Sequence, residues 1–437
     1  MRAARIWRRV LGVDNTVIDA VGFDEQAGAV VVSVRPQARA RHRCGVCRRR
    51  CPRYDGGAGR RRWRAPDWGA VPVFVEAPAS RVRCAEHAVV VAAVPWARHG
   101  AGHTYGFDAT VAWLATQTSQ TAVCELMRIA WRTVGAIVAR VFADGDAGAD
   151  RLAGVRRIGI DEVSYKKGHK YLTVVVDHDT GRLVWAAPGH GAAVLAGFFT
   201  ALGPDRCAEI THATSDAAGW IAATVARWCP AAVRCADPFH IVAWATGALD
   251  VERRAAWNRA RGPRPAARPW AGAGYKSRTR SAGDPATAAV KNSRWALLKN
   301  PEHLTAAQRD QLAWIEAHDA RLFRAWQLKE QLRLILKLPS AVAPDALDAW
   351  IEDAAASGLP AFVGLARSIT AQRPAILATI EHRLSNGRVE SVNTKIRLIV
   401  RRGFGFHTPE AVIALAMLSL GGDRPRLPGR TNPRISQ

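Results

Sequence analysis

Arg156-Arg-Ile-Gly-Ile-Asp161-Glu-Val-Ser-Tyr165 decides how the rest of this chain is read. Apolar residues at Val155, Ile158 and Ile160 lead into two adjacent carboxylates, so a short strand is expected to end on Asp161 and Glu162. The Lys- and Gly-rich loop Lys166-Lys-Gly-His-Lys170 follows, then the almost wholly apolar run Tyr171 to Val176. Asp177-His-Asp-Thr-Gly181 is dense in turn formers, and Leu183 to Ala187 reads as a third strand. A three-stranded meander is a rigid platform that can hold a carboxylate still, as a hydrolytic metal site requires. Asp161 is therefore expected to be the first ligand of a divalent-metal nuclease centre.

Working downstream, Ala192 to Leu202 reads as a helix and Ala208 to Ala213 as a strand ending on Thr214-Ser-Asp216. A helix over Ala217 to Trp228 and a strand over Ala232 to Ala236 come next. That strand ends on Asp237-Pro-Phe-His240, and a further helix begins at Ile241. Three strands, then helix, strand, helix, strand, helix is an α/β order, the ribonuclease-H-like mixed sheet with helices on its faces. In that arrangement the first and fourth strands are neighbours, so Asp161 and Asp216 can approach one ion. From about residue 250 to 383 the pattern breaks. Basic Pro-rich sequence (Arg261 to Pro269) gives way to helical stretches carrying Trp295, Trp314, Trp326 and Trp350, which predicts a mostly helical insertion with core aromatics.

Beyond the insertion, Val389, Val392, Ile396 and Ile399 recur at three and four, so a helix packs that face. Glu390, Asn393 and Arg397 lie on the adjacent stripe. A carboxylate on the first turns, with Lys395, Arg397, Arg401 and Arg402 beyond it, offers a metal ligand beside phosphate-binding charge.

Upstream, Val17 to Val34 reads as a β-hairpin. The segment Arg35 to Arg64 then holds twelve Arg and a single Asp. Within it Cys44-Gly-Val-Cys47 is matched later by Cys84-Ala-Glu-His87, four ligands for a closed tetrahedral zinc site, with Cys51 a spare thiol. From Tyr105 a helical pattern runs to Met127, breaks at Arg128-Ile129, and resumes from Ala130 to Val141. This suits a helix-turn-helix, with Trp131, Arg132 and Arg140 free to face DNA; a generic helical hairpin fits the segment alone equally well. Asp144 to Asp150 reads as a flexible acidic linker.

The whole composition agrees. In 437 residues, 62 Lys and Arg stand against 37 Asp and Glu, a formal net charge of +25 that points to a polyanionic partner. The run Ala411 to Leu418 is too short to cross a bilayer, and the N-terminus lacks the apolar core of a secretion signal. Eight Cys in so long a chain do not suggest a disulfide framework. A soluble, cytoplasmic bacterial protein is expected, nucleoid-associated when bound to DNA.

With these stretches in view, the chain resembles the ISL-three type of insertion-sequence transposases over nearly its whole length. The resemblance rests on four parts in order: the Cys-rich module (with His87 where Cys is commoner), the helix pair, Gly159-Ile-Asp161-Glu with its Lys-Gly-His-Lys-Tyr continuation, and Ser385-Asn-Gly-x-x-Glu390-x-x-Asn393. It implies a DDE transposase with catalytic Asp161, Asp216 and Glu390, Mg²⁺ or Mn²⁺ at that centre and structural Zn²⁺. It also implies double-stranded DNA as partner, both terminal inverted repeats and target, and a homodimer or higher assembly on DNA. Asp237, His240 and Asn393 are expected as support. Asp216 and Asp237 both end strands, and spacing alone does not decide which is the second catalytic carboxylate. The expected divisions are a β and zinc module (1–98), a helix-turn-helix (99–150), the first catalytic part (151–249), the insertion (250–383), the final catalytic helix (384–420) and a basic disordered tail (421–437). The rival readings are a non-catalytic DNA-binding regulator derived from a transposase and an RNA-cleaving or packing protein.

Overall fold

The computed structural model describes residues 2–146, 148, 150–261, 290 and 292–430. The Pro-rich stretch from residue 262 and the tail from residue 431 lie outside the described residues. Strands β1 (Thr16–Asp24), β2 (Ala29–Pro36), β3 (Arg53–Asp55), β4 (Arg60–Trp68), β5 (Val71–Pro78), β6 (Arg81–Cys84) and β7 (Ala88–Val91) build the N-terminal part. They form a four-stranded sheet in the order β1-β2-β5-β4 and a three-stranded sheet in the order β3-β6-β7. The predicted hairpin is β1 and β2. An unpredicted helix, Arg2–Leu11, precedes it; Leu11 is buried against the first sheet and Trp7 meets Trp68 edge-on at 4.9 Å.

Three helices follow, not two. Tyr105–Gln117 and Gln120–Met127 are separated at Thr118-Ser119, because the Ser119 hydroxyl accepts from the Ala122 amide and starts a new helix. The third, Trp131–Asp146, begins after Arg128 turns the chain in the left-handed region at φ 52°. The described acidic residues of the segment expected as a free linker are tied down: Asp144 pairs with Arg98, Asp146 with Arg151 and Asp150 with Arg206.

The central sheet contains β8 (Arg157–Lys166), β9 (Lys170–Asp177), β10 (Leu183–Pro188), β11 (His212–Ser215) and β12 (Val233–Ala236). Its order is β10-β9-β8-β11-β12, the first three antiparallel and the last two parallel to β8, which is the ribonuclease-H-like mixed sheet. Two expectations are corrected. Strand β8 does not stop at Asp161; pairing with β9 carries it on to Lys166, so Asp161 sits mid-strand opposite Val174. Residues Pro204–Glu209 form a short helix, started by Pro204, and β11 begins only at His212.

Alternation along the strands divides the core in two. Ile158, Ile160 and Val175 face the helices Ala192–Leu202 and Gly219–Trp228. Val163, Leu172, Val174 and Val176 face the last two helices, Gly387–Arg402 and Pro409–Leu420. Asp161 shares the parity of Val163, so it points toward the Gly387–Arg402 helix. The insertion is helical as expected and has its own core, in which Trp350 is buried and donates to the Leu328 carbonyl at 2.8 Å; Trp295 stays exposed. Ala414 and Leu418 of the last helix also enter the core of the three-helix unit, beside Phe107, Val123 and Ile137.

Candidate active site and metal centre

Asp161 is held from two sides. The Glu162 amide donates to its Oδ1 at 2.7 Å, and the Asn393 side chain donates to its Oδ2 at 2.8 Å. Strand β11 pairs with β8 up to Thr214 opposite Gly159. Asp216 follows two residues further on, just past the end of β11. Burial is the largest influence on Asp161 and pushes its carboxyl up to about 6. The Glu162 amide and His240 pull it down, while the negative charges of Asp216 and Glu390 add to the rise. Asp161 of β8 thus feels one carboxylate from beyond the end of β11 and one from the Gly387–Arg402 helix. Burial also raises Glu162, whose Oε1 lacks a partner among the described residues.

Asp237 is differently placed. It is 2% exposed and both oxygens are engaged: Oδ1 accepts from the Asn386 amide at 3.2 Å and Oδ2 lies 2.8 Å from His240 Nδ1. Among the described residues the Asp216 carboxylate accepts one hydrogen bond, from the Ala218 amide at 3.3 Å, which leaves it lone pairs for another partner.

A clasp that sequence reading missed surrounds the carboxylates. Asn386 is fully buried; its side chain donates to the Ile160 carbonyl at 3.3 Å and accepts from the Thr214 hydroxyl at 2.5 Å. Thr214 in turn meets His178 Nε2 at 2.7 Å. Burial holds His178 down at about 4, so it sits there neutral. Only the Ser385-Asn-Gly motif hinted at this role; His178 looked like one more turn residue. Gly159 completes the fit, since a Cβ there would stand 2.3 Å from Val389 Cγ2 and 2.8 Å from His178 Nε2. The Gly387–Arg402 helix can approach β8 only because Gly159 has no side chain.

Asn393 is 1% exposed and its Oδ1 has no hydrogen-bond partner among the described residues. An orphaned buried amide oxygen on the residue that holds Asp161, a carboxylate that also feels Asp216 and Glu390, is chemistry suited to a hard divalent cation.

In the N-terminal part, the ligand atoms of Cys44, Cys47, Cys84 and His87 all lie within 4.8 Å of one another. Cys47 Sγ is 3.7 Å from Cys84 Sγ, and His87 Nδ1 is 3.8 and 3.6 Å from the sulfurs of Cys44 and Cys84. A tetrahedron with Zn–S bonds of about 2.3 Å has edges of about 3.8 Å. The cluster already has that size. The hydrogen bond with His87 is the largest cause bringing the Cys84 thiol down to about 6.

Trp131 and Arg132 are exposed on the first turn of the third helix. Arg140 is not free as expected: it pairs with Asp108, a fully buried carboxylate that also binds Arg98. Lys395, Arg397 and Arg401 are exposed, whereas Arg402 donates to the carbonyl of Gln117 at 3.0 Å and docks the Gly387–Arg402 helix on the three-helix unit. No helix among the described residues is long and apolar enough to cross a membrane.

Residues 158–416 match the family described as "Transposase", residues 92–141 the "Helix-turn-helix domain of transposase family ISL3", and residues 40–87 the "zinc-finger of transposase IS204/IS1001/IS1096/IS1165". The chain is 56% identical over 444 residues, covering 100% of both chains, to the transposase for insertion sequence element IS1557 from two strains of Mycobacterium tuberculosis. It is 29% identical over 258 residues, 59% of either chain, to the transposase for insertion sequence element IS1001 from Bordetella parapertussis.

Proposed function

Because this chain belongs to the ISL3 family of transposases, we propose that it binds the terminal inverted repeats of an insertion sequence and cuts and joins DNA at a DDE centre made of Asp161, Asp216 and Glu390. The observation that carries this reading is that Asp161, pushed up to about 6 chiefly by burial, also feels the negative charges of Asp216 and Glu390. Groups that repel one another in a half-buried site are stable together when they share a cation. Asp216 is preferred over Asp237 because Asp237 has both oxygens committed to Asn386 and His240.

Asp161, Asp216 and Glu390 would hold Mg²⁺ or Mn²⁺, which when bound supplies water activation and offsets charge on the leaving oxygen. Asn393 fixes the orientation of Asp161 through Oδ2, and Asn386 locks the start of the final helix to the backbone beside it. Asp237 and His240 brace the same loop. Exposed Lys395, Arg397 and Arg401 neutralise phosphates alongside the centre. In the first step a water oxygen bonds to phosphorus at the element's end, and the 3′-oxygen leaves as a hydroxyl. That 3′-hydroxyl then attacks a target phosphodiester and displaces its 3′-oxygen, joining the element to the target.

Cys44, Cys47, Cys84 and His87 would hold a structural Zn²⁺ that ties the Arg-rich loops to β6, and Trp131 and Arg132 would meet the end DNA. Two ends have to be processed together, so the working form is a dimer or larger assembly on DNA, in the bacterial cytoplasm. The test uses Asp161→Ala, Asp216→Ala and Glu390→Ala on a labelled terminal-repeat duplex with Mg²⁺ or Mn²⁺. Each is expected to bind the end like the native chain and to lose nicking and joining. Nicking by Asp161→Ala at the native rate sinks the mechanism, and a native chain that binds but never nicks favours a regulator.

A further inference from the structure

Phe404 is 80% exposed, more than any other large apolar side chain among the described residues. It is also held firmly. Its backbone sits in the left-handed region at φ 48°, between Gly403 and Gly405, and Gly405 has φ 95°. The Phe404 amide donates to Arg401 at 3.1 Å, and the Gly405 amide to Val400 at 3.0 Å. Behind the tip, Phe406 packs into the core, so close that a Cβ on Gly403 would stand 2.8 Å from its ring. A bulky residue in this backbone region, aimed at water on a braced loop, is a local cost with no return inside the fold.

The surroundings say what it meets. At 100° per residue, Glu390, Thr394, Arg397 and Arg401 fall within about 40° of one line along the helix. Thr394, Arg397 and Arg401 are exposed, and neither arginine side chain has a hydrogen bond or ion pair among the described residues. Residues 391–409 contain four Lys or Arg and no Asp or Glu. An isolated aromatic at the end of an unpaired cationic track fits a ligand with phosphates and flat apolar faces better than it fits an apolar protein surface.

We propose that Phe404 is a wedge that stacks on, and opens, one base step of the bound DNA end. This rests on the end-binding reading above. The helix rise of ~1.5 Å per residue puts Phe404 about 20 Å from Glu390, or roughly six base pairs from the cleaved bond at ~3.4 Å each. Arg397 and Arg401 hold the intervening phosphates.

The experiment takes the full chain and terminal-repeat duplexes carrying 2-aminopurine at successive positions, with native, Phe404→Ala and Phe404→Trp proteins. The native chain should change the probe fluorescence at one step about six base pairs from the cleavage position. Phe404→Ala should abolish that change and weaken end binding by roughly 5- to 150-fold, the range of one base–aromatic stack. Phe404→Trp should restore both. Thermal unfolding of Phe404→Ala should match the native chain, since the ring is solvent-exposed. An unaltered probe profile and affinity in Phe404→Ala overturns the wedge, and so does a shift from dimer to monomer in that variant without DNA, which would assign Phe404 to a protein contact. A native chain that nicks the end with no probe change anywhere removes the wedge alone; one that neither binds nor nicks the end removes the end-binding reading with it.

Discussion

Asn393 donates to Asp161 Oδ2 at 2.8 Å across 232 residues of sequence, and so ties the Gly387–Arg402 helix to the middle of the first strand of the central sheet. Its own Oδ1 is buried and has no hydrogen-bond partner among the described residues. One side chain thereby aims the central carboxylate and contributes a second oxygen nearby.

Asn393→Ala should lower nicking of a terminal-repeat duplex by about 10- to 100-fold, the usual effect of losing a residue that orients a metal ligand. End binding should change little, and the loss should be partly recovered at high Mn²⁺ concentration. Unchanged nicking across a metal titration would show that Asp161 needs no such support.

Burial and its acidic neighbours hold Asp161 at about 6, above the ordinary carboxylate value near 3.9. A raised carboxyl destabilises the fold once ionised, so the cost is complete above pH 6 and vanishes as pH falls through 6 toward 4. Asp161→Asn removes it. Metal-free Asp161→Asn protein should be more stable than the native chain at pH 7.5 by on the order of 1–2 kcal/mol, allowing for partial solvent screening. Below pH 4 the two should converge. Denaturant titrations at both pH values decide it, and a constant difference would remove the assigned shift.

A methyl group at position 159 would collide with Val389 Cγ2 at 2.3 Å. Gly159→Ala should therefore destabilise the chain by about 1–3 kcal/mol and displace the final helix, lowering nicking as well. Val389→Ala, harmful alone, should be less harmful in the Gly159→Ala background, a coupling measurable as a double-mutant cycle in urea. Simple additivity would mean that strand and helix do not meet there.

The native chain should carry one zinc per molecule, released by a strong chelator with loss of end binding. Cys44→Ser and Cys84→Ser should lose the metal, and Cys51→Ser should keep it. Metal analysis with gel-shift titration reads both, and normal end binding by metal-free protein would contradict a role for the cluster in presenting Arg to DNA.

Several features were legible from local chemistry alone. Turn formers around Asp177 to Gly181, the apolar run of β9 and the three-and-four spacing of Val389, Val392, Ile396 and Ile399 are each set by residues close together in the chain. So were the CxxC and CxxH pairs, because two ligands three apart chelate by themselves. The strand boundary at Asp161 was misread because polarity stood in for pairing. A carboxylate can lie mid-strand when its neighbour strand continues and a buried amide receives it. Likewise Arg140 read as free charge, since nothing local marks Asp108 as its buried partner.

Sequence by itself determined the strand order of the central sheet's segments along the chain, the paired Cys and His ligands, the basic charge and the carboxylates worth considering, because periodicity, spacing and charge are local or summed properties. Only the tertiary structure decided that, among the described residues, Asp237 has both oxygens engaged while Asp216 keeps lone pairs, that Asn386, Thr214 and His178 lock together beside Asp161, and that Gly159 admits the Gly387–Arg402 helix. Those facts depend on which distant groups share a few ångströms of buried space, and hydrogen bonds, repulsion and van der Waals contact act only over such distances.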